Sequence, residues 1–262
     1  MPRRELHRDP VRIVALVALL IGLGTAGHWA WDTFGTSWRA DGQAAADLRA
    51  FTDAHPLPNA AAQLRTDVDA APSRAPSTGV IATLWVPSWA GTHGVHGDML
   101  DARVPIKRGV TRAVLDTGAA GVFAQAQEPG QVGNFTLAGH RRTYGDNFLH
   151  VDDLVRGDTV VVETPEAWFV YDVVVPGYLV EPDQGADVVA PAPGGLPAGG
   201  RYLTLVSCHS VTDGEWGNDH RIVVHAELVG WVGHDAGMPE QLLHSERGAT
   251  GGGDRGEPPT SR

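Results

Sequence analysis

The fold is decided by one stretch near the C-terminal end of the chain, 201–228. It reads Tyr202-Leu203-Thr204-Leu205-Val206-Ser207-Cys208-His209-Ser210, then a polar loop, then Asp219-His220-Arg221-Ile222-Val223-Val224-His225-Ala226-Glu227-Leu228. Two runs rich in β-branched residues around a loop of Gly, Asp and Asn are typical of two strands and their connection. The one cysteine of the chain ends the first run, and an arginine opens the second. If the strands pair, sulfur and guanidinium lie at the same end of a sheet.

Similar runs fill the sequence upstream, from Gly79 to about Gly233. They are short and closely spaced, with few helix-period segments, which predicts an all-β domain, a closed barrel or a sandwich. One or two helical turns are expected within 147–154. The predicted strands are 80–86, 104–110, 132–138, 158–164, 167–175, 177–180, 187–189, 203–208 and 222–231.

Composition narrows the class of protein. The 262 residues allow one large or two small domains. The formal net charge of -11 argues against nucleic acid as a partner. A single cysteine excludes an internal disulfide framework.

The N-terminus has the features of a membrane anchor. Arginines at 3, 4 and 8 precede a nearly continuous apolar run over 11–26, which Arg12 interrupts near its start and which Trp29 and Trp31 border. A basic flank, an apolar run and an aromatic border predict a single span with its N-terminus in the cytoplasm and the rest of the chain outside. A cleaved signal peptide is the main alternative. The expected organisation is a basic N-terminus (1–12), an anchor (13–31), a stalk (32–78), a catalytic domain (79–233) and a flexible tail (234–262).

A thiol nucleophile needs a positive field and a proton carrier, because a free cysteine has a pKa near 8.5. Arg221 can supply positive charge to a thiolate or to an oxyanion. Among the histidines, His140 stands out because it ends a predicted strand between Gly139 and Gly145, as expected at a rim. Cys208, His140 and Arg221 are therefore the candidate catalytic residues. The acidic residues of the 211–219 loop have no regular ligand spacing for calcium.

Two motifs resemble the sortase family. The run Pro129-Gly130-Gln131-Val132-Gly133-Asn134-Phe135-Thr136-Leu137-Ala138-Gly139-His140-Arg141 is similar to the stretch that carries the sortase histidine, and Thr204-Leu205-Val206-Ser207-Cys208 resembles the sortase T-L-x-T-C motif. The strand of Arg221 is placed like the one that carries the sortase arginine. The segment Thr143-Tyr144-Gly145 is similar to the class E branch of high-GC Gram-positive bacteria. The resemblance covers 79–231 and implies a closed sortase-type β-barrel of about eight strands, preceded by one N-terminal transmembrane helix.

This resemblance implies a membrane-anchored cysteine transpeptidase that needs no metal or organic cofactor. Its substrate would be an exported protein with a C-terminal LPXTG-like or LAXTG-like signal, cut between Thr and Gly and passed to an amine of a cell-wall precursor. Tyr144 is the candidate for reading the second signal position, and Thr204 and Ser207 are expected to border the substrate. Ser207 departs from the family, which has Thr there; its hydroxyl is retained but a methyl group is lost.

Other interpretations stay open from the sequence. Cys208, His209, His220 and His225 have side chains that suit zinc, although alternation along a strand places His220 opposite His225. A cell-envelope cysteine hydrolase and an inactive scaffold of the same fold are further alternatives. Arg141 and Arg142 compete with Arg221 for the anion-stabilising role. The sequence leaves open the sorting signal in detail, the amine acceptor and the choice between wall anchoring and pilus assembly.

Overall fold

The computed structural model describes residues 10–31, 35–67, 78–91, 102–212 and 217–243. Most of the expected tail and the expected cytoplasmic N-terminus up to residue 9 lie outside these ranges. The strands are β1 (Ala61–Ala62), β2 (Val80–Trp85), β3 (Arg103–Arg108), β4 (Ala120–Val122), β5 (Gly133–Gly139), β6 (Thr159–Glu163), β7 (Ala167–Val180), β8 (Arg201–His209), β9 (His220–Gly233) and β10 (Met238–Pro239). The α-helices are α1 (Pro10–Ala30), α2 (Thr36–Ala54), α3 (Arg112–Leu115) and α4 (Gly185–Val188), and short 3-10 helices lie at Pro87–Trp89, Val151–Asp153, Pro182–Gln184, Pro193–Gly195 and His234–Ala236.

Eight strands close into a barrel in the order β2-β3-β4-β5-β8-β9-β7-β6. The predicted closed barrel of about eight strands is confirmed. The pairs β3–β4 and β5–β8 are parallel, and the other barrel pairs are antiparallel. The two runs that opened the sequence analysis are β8 and β9, which pair from Tyr202↔Glu227 to His209↔His220.

The barrel interior follows from alternation along the strands. Phe135 and Leu137 on β5, and Leu203 and Leu205 on β8, are buried in the main hydrophobic core. Because successive side chains of a strand point to opposite faces, the residues between them lie on the outer face. The outer faces of β5, β8 and β9 therefore form a separate surface, which ends at Cys208.

The observed strands differ from the predicted ones in three places. Residues 167–180 form one long strand, β7, with register shifts against β9 instead of two separate strands. The predicted strand at 187–189 is wrong, because Gly185–Val188 is helical. The three-residue strand β4 was not predicted, since it is too short to alternate recognisably.

The segment predicted as a stalk contacts the barrel. On α2, Ala40 and Phe51 are buried. Asp47, on the same side of the helix, makes a 2.5 Å salt bridge with Lys107 of β3. Farther on, Arg65 exchanges two backbone hydrogen bonds with Trp231 of β9. Residues 36–65 thus pack against the barrel instead of forming a separate spacer.

Among the residues that the structure describes, no helix has the combined length and hydropathy that a membrane crossing requires.

Candidate active site

Three neighbouring strands bring the predicted catalytic residues together. Cys208 on β8 is directly opposite Arg221 on β9. His140 follows the last residue of β5, whose Gly139 lies beside Ser207 of β8, so the next step in register sets His140 beside Cys208. Adjacent strands lie about 4.8 Å apart. Imidazole, sulfur and guanidinium are therefore in one row on the outer face of the barrel.

The row behind this triplet forms an apolar floor. Ala138, Val206 and Val223 are each two residues from a triplet member and share its face. Val206 and Val223 are buried against Val188 of α4. Cys208 itself is half-buried and its thiol is free. The sulfur thus lies at the edge of a packed surface, where a ligand can reach it.

The ring of His140 is held from two sides. Its Nε2 lies 2.9 Å from Asp116 Oδ1. On the other side its ring stacks on Tyr144, with the centroids 5.0 Å apart and the planes at 29°. The phenol oxygen of Tyr144 accepts a 3.1 Å hydrogen bond from Arg112 Nη2. With Nε2 engaged by the carboxylate, Nδ1 is the nitrogen left for a substrate.

Asp116 reaches His140 through the barrel connectivity. β4 and β5 are antiparallel, with Gly121 opposite Ala138. The turn that precedes β4 therefore lies beside the end of β5, and Asp116 is in that turn. Sequence reasoning missed Asp116 because 24 residues separate it from His140 and no motif links them.

Arg221 is half-buried and its Nη1 is already oriented. That atom donates 2.8 Å hydrogen bonds to the carbonyl oxygens of Asn218 and His220. The neighbouring Asp219 accepts hydrogen bonds from the backbone N–H groups of Val211 and Thr212. Hydrogen bonds from the Thr212 hydroxyl, foremost, and then from Ser210, His220 and the Val211 amide hold the pKa of Asp219 far below its usual range. Asp219 thus fastens the base of the β8–β9 loop next to the guanidinium.

Near His140, Asp146 is a second carboxyl group whose pKa is shifted from its usual value. Tyr144 and Asp146 both have positive φ, at 54° and 49°. Burial, and then the charge of Asp41 on α2, raise the pKa of Asp146, while Arg142 and His140 oppose the shift. The helix α2 therefore contributes to the electrostatics of the loop that follows His140.

Known proteins resemble this chain in sequence and in fold. A model of the sortase domain matches residues 98–229, half of the chain. The chain belongs to the sortase family. Members of this family are cysteine transpeptidases, and the chain is similar to those of class E.

Individual sortases support the placement. Sortase SrtE1 of Streptomyces coelicolor is 34% identical over 159 residues, which are 57% of this chain and 43% of that protein. Sortase SrtE2 of the same organism is 30% identical over 141 residues, 50% of this chain and 53% of that protein. The chain spans about half the length of these two relatives. The solved SrtA sortase of Actinomyces oris is 39% identical, covers 69% of this chain and 96% of its own, and superposes with a TM-score of 0.60.

Two residues expected to border the sortase substrate are almost entirely buried. Thr204 is fully buried, and its hydroxyl is engaged by Asn134 and His225 at 2.8 Å each. Ser207 is 3% exposed and donates a 2.8 Å hydrogen bond to the Gly139 carbonyl. Because adjacent side chains of a strand point to opposite faces, Ser207 lies on the inner face of β8, opposite the face of Cys208. Its hydroxyl ties β8 to β5.

The competing assignments find little support. Arg141 is buried and forms an ion pair with Asp152, which occupies its guanidinium. Both ring nitrogens of His225 are taken, by Tyr178 and Thr204, so neither faces Cys208 as a zinc ligand would. Within the described ranges, no three His, Cys, Asp or Glu side chains converge on a possible metal position.

Proposed function

We propose that the chain is a cysteine transpeptidase that cuts an LPXTG-like or LAXTG-like sorting signal between Thr and Gly. It then transfers the protein to an amine of a cell-wall precursor. The observation that carries this proposal is the row of His140, Cys208 and Arg221 on three adjacent strands. Nucleophile, proton carrier and fixed cation are the three groups that acyl transfer through a thioester requires.

The first half of the reaction builds the acyl-enzyme. The thiolate of Cys208 attacks the carbonyl carbon of the signal threonine, and a C–S bond forms. Negative charge develops on the carbonyl oxygen, and the guanidinium of Arg221 stabilises it. The bond to glycine then breaks, and the leaving amine takes a proton from the imidazolium of His140. Asp116 holds His140 so that Nδ1 delivers this proton.

The second half reverses the roles. An incoming amine attacks the thioester carbon, and His140 takes up the proton that this amine loses. The thiolate leaves, and a new amide links the protein to the acceptor. None of these steps calls for a metal or an organic cofactor. If water replaces the amine, the same machinery gives a hydrolase.

Tyr144 is our candidate for reading the second position of the signal. Its ring is fixed between His140 and Arg112, so it presents a rigid surface at the entrance of the site. A fixed aromatic ring beside His140 leaves more room for alanine than for a larger residue at the second position.

We further propose that the enzyme is anchored in the membrane by residues 13–31, with its catalytic domain outside the cytoplasm. The basic residues before Pro10 and the exposed apolar side chains of α1 support this location. Fractionation of cells that express the full chain tests it, together with labelling of Cys208 by a thiol reagent that does not cross membranes. Recovery in the soluble fraction, or protection of Cys208 until lysis, would contradict the location.

The activity is tested with the full chain, a panel of LPXTG and LAXTG peptides, and triglycine as acceptor, with products read by mass. A ligated product that requires triglycine supports transpeptidation. A product that ends in a free threonine carboxylate, unchanged by triglycine, would instead identify a hydrolase. No cleavage of any signal peptide would overturn the proposal.

A further inference from the structure

A series of hydrogen-bonded polar groups lies on the same outer face of the barrel, in the rows behind the apolar floor of the active site. It begins at Tyr178, whose hydroxyl lies 2.7 Å from His225 Nε2. It continues from His225 Nδ1 to Thr204 Oγ1 at 2.8 Å, and from Thr204 to Asn134 Oδ1 at 2.8 Å. Asn134, Thr204 and His225 are fully buried. Because buried polar groups are costly unless paired, a continuous chain of this kind is a built feature.

The direction of every hydrogen bond in this chain is determined. Asn134 Nδ2 donates to the carbonyl oxygens of Val188 and Ala190, at 2.9 and 3.1 Å, so its Oδ1 is the acceptor. Thr204 must then donate to Asn134, and its oxygen accepts from His225 Nδ1–H. Burial lowers the pKa of His225 to about 4, so the ring is neutral at pH 7. With Nδ1 carrying the proton, Nε2 accepts from the Tyr178 hydroxyl.

At its Asn134 end, this series of hydrogen bonds holds the β7–β8 loop, residues 181–200. Val188 and Ala190, whose carbonyls accept from Asn134, belong to this loop. At its other side Gly194 presses onto His225: a Cβ built there would lie 2.9 Å from Nε2. The loop is therefore held by two contacts, one with Asn134 and one with His225, and both residues belong to the same series of hydrogen bonds.

The fixed loop adjoins the nucleophile. Val188 packs on Val206 and Val223, which are the outer-face neighbours of Cys208 and Arg221. If α4 lifted, the floor two residues from the sulfur would lose its cover. The position of the loop thus sets the shape of the surface on which a peptide must lie to reach Cys208.

We propose that His225 is a positioning residue, which fixes the β7–β8 loop through Tyr178, Thr204 and Asn134 and so forms the peptide-binding surface beside Cys208. This inference rests on the proposed transpeptidase function for its substrate, a sorting peptide. It also assigns Thr204 an indirect role, through the loop, in place of direct contact with the peptide.

The test compares His225→Leu with the full native chain. We expect KM for the signal peptide to rise about tenfold, the factor that about 1.4 kcal/mol of lost hydrogen bonding produces, while kcat stays within about twofold. Hydrogen exchange of amides in 185–195 should accelerate in the same variant. Tyr178→Phe, which removes only the outer hydrogen bond, should raise KM about threefold and provides the test if His225→Leu does not fold.

His234→Leu is the matched control. His234 is also a buried histidine, 8% exposed, with Nε2 3.2 Å from Glu163, but it lies beyond the opposite end of β9 from Arg221. Its loss should change stability and leave both KM and loop exchange unaltered.

Unchanged loop exchange in folded His225→Leu or Tyr178→Phe would overturn the inference. Faster exchange with an unchanged KM would overturn its link to substrate. If the native chain ligates no peptide, the proposed function fails, while the exchange data still decide whether His225 fixes the loop.

Discussion

Asp116 Oδ1 lies 2.9 Å from His140 Nε2, although Asp116 lies in the turn before β4 and His140 follows β5. This contact fixes the ring that hands a proton to the leaving amine in the proposed mechanism. It also decides which nitrogen does so, because Nε2 is engaged and Nδ1 is not.

We therefore expect Asp116→Ala to lower kcat by about ten- to a hundredfold with little change in KM, because small misplacements of a catalytic group have effects of this size. Asp116→Asn keeps an acceptor oxygen and should retain most of the rate. The measurement is steady-state transpeptidation with a fluorescent signal peptide. Equal losses in the two variants, or a loss confined to KM, would contradict a positioning role for Asp116.

A second prediction concerns Arg221. Arg221→Lys keeps the charge but loses the planar group whose Nη1 is held by Asn218 and His220. Because removing one oxyanion donor costs about a hundredfold or more in kcat, the variant should lose activity on that scale. Arg201→Lys is the control, because Arg201 begins β8 and lies at the other end of that strand from Cys208. This variant should stay near the native rate. Comparable losses in both variants would assign the effect to the fold.

The close approach of Gly194 to His225 gives a third prediction. Gly194 has φ +58°, and a Cβ there would meet His225 Nε2 at 2.9 Å. Gly195 has φ +74° but open space around its Cβ position. Both Ala variants carry the cost of left-handed backbone, about 1 kcal/mol, and only Gly194→Ala adds the contact.

Gly194→Ala should therefore raise the KM for the peptide severalfold, whereas Gly195→Ala should lower the melting temperature alone. Kinetics and thermal unfolding of the two proteins make the comparison. If both variants have the same KM, the contact of the loop with His225 does not influence the peptide surface.

Acid should destabilise the fold through His225. Its pKa is lowered to about 4 in the folded protein from an ordinary 6.5, foremost by burial. Between these values the unfolded chain binds a proton that the folded chain does not, so stability is fully present above pH 6.5 and is lost as the pH falls toward 4. The loss from this group is about 3 kcal/mol.

Urea unfolding at several pH values between 4 and 7.5 measures this dependence. His225→Gln should remove most of the slope that the native protein shows in this interval, because glutamine does not titrate. A slope of the same size in the variant would mean that other groups cause the acid sensitivity.

The sequence predicted the fold well where patterns are local. The β-branched runs of β8 and β9, and the hairpin of β6 and β7 around 165–166, are visible without a structure. It failed at Gly185–Val188, where a valine-rich segment became helical because the loop packs it onto Val206 and Val223. The docking of α2 was also missed, since an Ala-rich surface gives little sign of its partner.

The adjacency of His140, Cys208 and Arg221 could be predicted because each residue sits in a motif with a known order. Asp116, by contrast, meets His140 only through the antiparallel pairing of β4 and β5, and the sequence carries no trace of that contact. Thr204 and Ser207 were expected to border the substrate, and the structure shows both side chains buried and hydrogen-bonded. Their hydroxyls are used inside the sheet, and only side-chain geometry distinguishes that use from substrate contact.

The transpeptidase account is tested most directly by the mass of the intact enzyme during turnover. We predict that the full chain, mixed with a signal peptide, gains the mass of the peptide segment ending in threonine, on Cys208. Triglycine should discharge this adduct as a ligated product, and Cys208→Ala should form neither adduct nor product. Ligation by Cys208→Ala, or an adduct on another residue that turns over at the native rate, would contradict the account.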